Sequence, residues 1–293
     1  MNPKISVITP CRNMASFLKD CMESVLGQNY PNLEYIVIDG ASTDSTVEVV
    51  RRYESRLTYW VSEPDRGQSH AINKGFAKAT GDLLVWMNAD DYFLPGAFAE
   101  VAAAWSAAPG APFYFGDGIR VDAGRKVKGG FTPNGKVRFD RQALLLGLNY
   151  ILQPSTFIDR KSFEQCGGLD ESLHFGMDSD LWMRLSARGA PVPIQAVLSA
   201  SREYESTKTS TGSFSRIEEL RQISSKYSGR EMTPGVLCYF FDELLRFRAA
   251  NPDLLSADVD VAIRKLWQAT SAGFSRFNAG PDGFPLKTTE RRT

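Results

Sequence analysis

Asp90 and Asp91 are the residues in this chain best placed to do chemistry. They close the stretch Gly81-Asp82-Leu83-Leu84-Val85-Trp86-Met87-Asn88-Ala89-Asp90-Asp91-Tyr92, an apolar run too short for an ordinary helix. A buried parallel strand delivers acidic side chains to the rim of a sheet in this way. Adjacent carboxylates repel and raise each other's pKa unless a cation lies between them, and hard oxygen donors favour Mg2+ or Mn2+. Taken alone the two acids read as a solvated turn after a strand. Their surroundings favour the metal.

Those surroundings are a series of strands alternating with helices. The sequence predicts strands over Ile5 to Thr9, Leu33 to Ile38 and Leu57 to Val61, with the Asp90-Asp91 stretch as the fourth. Between them Phe17, Leu18, Cys21, Val25 and Leu26 recur at helical spacing before Gly27, and Ser45 and Glu48 stand at capping-box spacing ahead of a helix through Tyr53. Ser69 is expected to cap a third helix, through Ala79. Such alternation means βαβ units on a mainly parallel sheet, in which ligands bind outside the carboxyl ends of the strands. Each of the four ends carries polar groups: Thr9, Pro10 and Arg12 after the first, Asp39 after the second, Asp65, Arg66 and Gln68 after the third, and Asn88, Asp90 and Asp91 after the fourth. No G-x-G-x-x-G follows the first strand, so pyrophosphate is not held on a helix amino terminus there, and the acids leave that task to a metal.

Further along, a helix is expected over 95–107, a break at Pro109-Gly110-Ala111-Pro112, strands over Phe113 to Phe115, Ile119 to Lys128, Pro154 to Ile158 and 192–200, and a short helix over Asp140 to Leu148. A polar loop is expected over Ser201 to Thr211, then helices over 213–228, 235–250 and 256–272 and a frayed tail. At 43% hydrophobic and 23% charged residues the composition is that of a soluble globule, and 34 basic residues balance 34 acidic ones, so no broad cationic surface for nucleic acid is implied. Cys11, Cys21, Cys166 and Cys238 show no C-x-x-C spacing and only His70 and His174 could supply imidazole, which argues against structural zinc and for reduced thiols. The absence of a signal-like or membrane-spanning apolar run leads us to expect a cytoplasmic protein.

Several stretches, in order, resemble a bacterial family 2 glycosyltransferase of the GT-A fold, the group that assembles surface polysaccharides. They are Ile5 to Pro10, Ser24 to Gln28, Glu34 to Asp44, Ser62 to Gln68, Ala71 to Gly75, Asn88 to Asp91 and Met177 to Leu185, within a match over roughly residues 4–210. The resemblance implies an α/β GT-A nucleotide-sugar-binding domain over 1–212, with a nucleotide half to about 108 and an acceptor half beyond it, followed by a helical extension over 213–293. It implies inverting transfer from a nucleotide-diphosphate sugar, UDP-linked in preference to GDP- or dTDP-linked, to a glycan or lipid-linked acceptor, with Mn2+ or Mg2+ as cofactor. Asp39 would accept hydrogen bonds from the nucleotide base, unless it only shapes the Asp-Gly turn. Asp90 would reach the ribose or the metal, Asp91 would ligate the metal, and Asp65 and Arg66 would face the nucleotide or donor, with an exposed loop ion pair as their alternative. Gln68 and Asn73 fit either a donor role or local hydrogen bonding.

Two departures from the family pattern bear on mechanism. Met177-Asp178 stands where relatives carry Glu-Asp, which leaves Asp178 as the matching general base. On the helix that follows, Asp178 shares the face of Leu181, Trp182 and Leu185, while Asp180 aligns with Arg184 at i+4 and reads as mainly structural. Tyr204 stands where relatives often have a histidine, so that metal ligand is absent, and Arg202 or Lys208 could still fold over the diphosphate as a cationic lid. Solvated loop charges explain both residues as well. His70 and His174 read as structural or surface groups. The rival classes are a nucleotidyltransferase, which should have a Gly-rich basic loop where this chain has Pro10-Cys11-Arg12-Asn13, and a non-catalytic sugar-nucleotide-binding protein. The carboxyl-terminal helices are expected to dock on the catalytic domain, with self-association or contact with the inner membrane face as the alternatives.

Overall fold

Apolar residues on alternate positions of the predicted strands need cover on both sides, and the fold provides it. In the computed structural model, which describes residues 2–251 together with Val261 and Lys265, a nine-stranded sheet runs between two layers of helices. The first four strands are β1 (Ile5–Cys11), β2 (Leu33–Asp39), β3 (Tyr59–Ser62) and β4 (Leu83–Trp86), and they pair in parallel in the order β3-β2-β1-β4. Ile5, Val7, Leu83 and Val85 enter one core, with helices α1 (Ala15–Leu26), α2 (Thr46–Arg52) and α4 (Ala97–Ala107). Ile8, Leu84 and Trp86 enter the other, with α3 (Gln68–Phe76), α5 (Arg141–Leu145), α6 (Arg160–Cys166) and α7 (Met177–Ser186). Burial on both faces is why these strands read as continuous apolar runs.

Beyond β4 the sheet becomes mixed. The short β5 (Tyr92–Phe93) lies antiparallel to β9 (Val192–Arg202), and β8 (Thr156–Asp159) lies antiparallel to both β4 and β6 (Phe113–Val121). β6 also pairs in parallel with β9 and antiparallel with β7 (Val127–Gly130). The strand expected over Ile119 to Lys128 is thus the end of β6, a turn with Arg125 at φ 71°, and the start of β7. The sequence likewise places the polar loop too early. β9 continues to Arg202 because its last residues pair with β6, and the one-turn helix α8 (Lys208–Thr211) follows.

Two expected helix starts form by other means. Ser45 makes no side-chain cap; Asp44 instead accepts from the Thr46 N–H at 3.0 Å and from the Ala15 N–H at 3.2 Å, tying the first turns of α2 and α1 together. Ser69 lies inside α3, where its hydroxyl donates to Met177 Sδ at 2.7 Å. Helices α9 (Ser213–Ser228) and α10 (Pro234–Ala250) form where the sequence predicts and pack against α7 and the turn after α5. Gly147 there is at φ +83°, and a side chain on Gly235 would fall 2.5 Å from the Gly147 carbonyl carbon. Only glycines allow that approach. The expected helix over 256–272 and the tail lie outside the described residues.

At the opposite edge of the sheet from the strand ends, Glu34 fastens β1 and β2 to the turn before β4. Its carboxylate accepts from the Ser6 hydroxyl, from the Thr80 N–H at 2.7 Å and hydroxyl at 2.8 Å, and from Lys4 Nζ at 2.9 Å. Burial alone would raise its pKa, but these donors outweigh burial and hold it at about 2. A depressed carboxylate contributes stability that is present above its unfolded pKa and lost as pH falls through the folded value. Glu34→Gln should therefore cost about 1.5–3 kcal/mol at pH 7 by urea denaturation. It should also flatten the wild-type loss of stability between pH 4.5 and about 2.

Candidate active site at the strand ends

The parallel register brings the carboxyl ends of β1 to β4 to one rim. Cys11 pairs with Asp39, Asp39 with Ser62, and Ile8 with Trp86. Asp39 is fully buried. Its Oδ2 accepts from the Ser42 N–H at 3.0 Å and the Ser62 hydroxyl at 2.6 Å, while Oδ1 takes the Ser42 hydroxyl and the Cys11 thiol. Of its two expected roles, shaping the turn is the one these bonds perform; a base contact would require Ser42 to give way. Asp65 accepts from the Gly67 N–H at 2.8 Å and lies so close to Gly40 that a Cβ there would collide with its carboxylate. Arg66 is exposed and pairs with Glu171 at 2.6 Å instead of meeting the strand-end acids. Thr9 faces the core, its hydroxyl 3.0 Å from the Tyr35 hydroxyl, and Pro10 is buried with it, whereas Arg12 is exposed at the rim.

Asp90 and Asp91 lie in the turn between β4 and β5. Asp91 is buried, and its Oδ1 accepts from the Arg202 N–H at 2.8 Å. Burial and the neighbouring charge of Asp90 push its pKa up to about 8. Asp90 accepts from the Tyr204 hydroxyl at 2.9 Å, so the tyrosine that replaces a histidine still meets this acid. Among the described residues no group of three or more His, Cys, Asp or Glu side chains is placed to hold a metal. Two adjacent carboxylates in strong mutual repulsion nevertheless fit a hard divalent cation whose other oxygens come from a diphosphate and water.

Arg202 cannot be a mobile lid. Its side chain is 1% exposed, its guanidinium lies 4.9 Å from the Phe17 ring and 5.2 Å from the Tyr92 ring, and it bonds Asp20 and the Asp90 carbonyl. The end of β9 thereby clamps the acidic turn from behind. Lys208, by contrast, reaches the amides beside the acidic turn. Its Nζ donates to Gln68 Oε1 at 2.8 Å, Gln68 donates to Asn88 Oδ1 at 2.8 Å, and Asn88 donates to Gln153 at 3.2 Å and to Asp91 Oδ2 at 3.4 Å. Gln153 in turn holds the Trp86 carbonyl at 2.7 Å. Burial lowers the pKa of Lys208.

Asp178 sits in the first turn of α7, half-buried, accepting from the Ser179 N–H at 2.7 Å. Burial raises its pKa; the Ser179 N–H, the Asn149 side chain and Arg216 pull the other way. Asp180 is the more deeply buried of the two acids. It accepts from Arg184 at 2.7 Å, as its spacing predicts, and also from Lys226 at 3.0 Å and the Tyr227 hydroxyl at 2.6 Å on α9. His70 accepts from the Arg66 N–H, and His174 is exposed with its ring against Phe175. Gln153, Asn149 and Arg216 had no signal in the sequence, because each reaches the site from a turn or helix remote in the chain.

A family model described as Glycosyl transferase family 2 matches residues 6–167. The chain belongs to glycosyltransferase family 2. An uncharacterized glycosyltransferase of Mycobacterium tuberculosis is 31% identical over 198 residues, 67% of this chain and 74% of that one. The O-antigen biosynthesis protein RfbC of Myxococcus xanthus is 30% identical over 217 residues, 72% of this chain but 16% of RfbC. Among solved structures, S. aureus TarS 1-349 in complex with UDP-GlcNAc superposes with TM-score 0.63 at 16% identity, over 94% of this chain and 80% of that one. The mannosyltransferase PcManGT from Pyrobaculum calidifontis, in complex with GDP-Man and Mn2+, gives 0.60 at 21% identity, over 94% and 81%. The fold of this family 2 glycosyltransferase is GT-A with a helical carboxyl-terminal region. Asp178, Arg202 and Lys208 all lie beyond the residues matched by the family model.

The acidic turn of the transferase makes a prediction that needs no substrate. A carboxylate with a raised folded pKa is no burden below its unfolded value and weakens the fold progressively as pH rises through the folded value. For Asp91 that window runs from about pH 4 to about pH 8. In metal-free protein, Asp91→Asn should gain in melting temperature over the wild type as pH rises from 4 to 8, and the gap should then level off.

Proposed function

We propose that the chain transfers a sugar, with inversion, from a UDP-linked donor to a hydroxyl of a glycan or lipid-linked acceptor in cell-surface polysaccharide assembly. The carrying observation is the Asp90-Asp91 pair at the end of β4, with Asp91 buried and joined through Asn88 and Gln68 to Lys208, which also faces Asp178. The complexes of TarS with UDP-GlcNAc and of PcManGT with GDP-Man and Mn2+, and the naming of RfbC for O-antigen biosynthesis, support this reading. In it residues 1–108 form the donor side, 109–212 the acceptor side, and 213–293 a helical extension. No helix among the described residues is long and apolar enough to cross a membrane. We place the reaction in the cytoplasm, with a lipid-linked acceptor presented at the inner membrane face.

Asp91, with Asp90, would hold Mn2+ or Mg2+, which supplies charge neutralisation for the departing diphosphate. Lys208 adds a second positive charge at the same rim. Asp178 takes the proton of the acceptor hydroxyl as its oxygen bonds to the anomeric carbon and the bond from that carbon to the diphosphate oxygen breaks. One base and in-line attack give inversion, and a pKa raised by burial makes Asp178 a better proton acceptor than an exposed aspartate. A nucleotidyltransferase is less well served, since the turn after β1 presents Pro10-Cys11-Arg12-Asn13 and not a Gly-rich basic loop.

UDP release from a panel of UDP-sugars, with and without Mn2+, tests the reading. Excess chelator and Asp91→Asn should each abolish release, and Asp178→Asn should lower it by about 10²-fold or more while UDP affinity stays within a few fold. Asp180→Asn should act on the fold instead, costing about 1.5–3 kcal/mol, because it weakens the buried acceptor that ties Lys226 and Tyr227 of α9 to α7. Metal-dependent UDP binding with no release from any donor would favour the non-catalytic alternative.

A further inference from the structure

The carboxyl-terminal helices lie outside the stretch matched by the family model, yet α9 reaches the residue to which the proposed function gives the proton. Glu219 accepts from three successive backbone N–H groups just ahead of and at the start of α7, those of His174 at 2.8 Å, Phe175 at 2.6 Å and Gly176 at 2.5 Å. Gly176 is the N-cap of α7 and the other two lead into it, so Glu219 fixes the entry to the helix, and a carboxylate there also complements the helix dipole. Gly176 itself packs against Ile223, so closely that a Cβ would fall 2.5 Å from its Cδ1. Asp178 follows two residues later. One turn before Glu219, Arg216 lies half-buried with its guanidinium 5.4 Å from the centre of the Tyr239 ring, and the Tyr239 hydroxyl accepts from the Asn149 N–H at 3.2 Å.

We propose that α9 is a working part of the active site, in which Glu219 positions the α7 turn that carries Asp178. The inference rests on the reading of Asp178 as the base. The charged and titratable groups that face Asp178 are Lys208 from α8, Arg216 from α9 and Tyr239 from α10, with Glu219 acting on Lys208. A cation near a carboxylate favours its ionised form, so Arg216 pulls the pKa of Asp178 down against the burial that raises it.

The direct test is the titration of Asp178 by NMR in protein carrying 13C-labelled aspartate, the resonance being assigned by its loss in Asp178→Asn. Glu219→Ala should lower the midpoint by about half a pH unit or more, because the loosened turn lets water reach Asp178, and Glu219→Gln, which keeps an acceptor, should restore most of the difference. In Glu219→Ala, the amides of His174, Phe175 and Gly176 should also lose protection from hydrogen exchange. A merely structural α9 would leave the Asp178 midpoint in place in Glu219→Ala, and that result overturns the proposal. If the midpoint moves but UDP release is indifferent to Asp178→Asn, it is the reading of Asp178 as base that fails.

Discussion

The site depends on one electrostatic conflict, two adjacent carboxylates at the end of β4 with one of them buried. Asp91 has hydrogen-bond donors for its oxygens but, among the described residues, no cationic side chain bonded to it; what Arg202 gives it is a backbone N–H. The charge of Arg202 goes to Asp20 and to the Asp90 carbonyl, behind the turn. The protein thus fixes the position of the two acids without neutralising them, and a shared proton or an added cation must do the rest. A buried carboxylate beside a second acid costs the fold stability, and the proposed function places a cation there for that reason.

Everything around this turn ties it to the other half of the molecule. Asn88 meets Asp91, Gln68 and Gln153, so the turn after β4, the first residue of α3 and the segment before β8 share one amide cluster. Lys208 joins that cluster from the segment after β9. Asp178 lies within the electrostatic reach of the same lysine, and its helix is capped by α9. The turn after β4, the start of α3, the segment after β9, α7 and α9 are therefore linked through a short series of polar groups, each bond of which is sensitive to a shift of about an ångström.

The sequence made the parallel half legible because its strands are buried on both faces and separated by helices of regular period. Ser213–Ser228 and Pro234–Ala250 were legible for the same reason of periodicity. The mixed half was not, since β5 is two residues long, β8 four, and their pairing with β9 and β4 is set by tertiary contact. Asp90, Asp91 and Asp178 could be picked out because their types and order follow a family pattern. Arg202 and Lys208 were grouped as alternatives for one role, but the end of a paired strand buries the first and the one-turn helix after it presents the second. Asp180 read as structural through Arg184 alone, because spacing shows Arg184 and cannot show Lys226 or Tyr227 arriving from α9.

The measurement that bears most directly on this account is calorimetric titration of UDP into the protein at pH 7, with and without Mn2+, in buffers of different ionisation enthalpy. Because Asp91 holds its proton up to about pH 8 when no cation is present, UDP with Mn2+ should bind with release of close to one proton, and Asp91→Asn should abolish that release. UDP without Mn2+ should bind at least about tenfold more weakly. Equal affinity with and without the cation, and no proton release, would contradict the assignment of Asp90 and Asp91 as a cation-dependent nucleotide site.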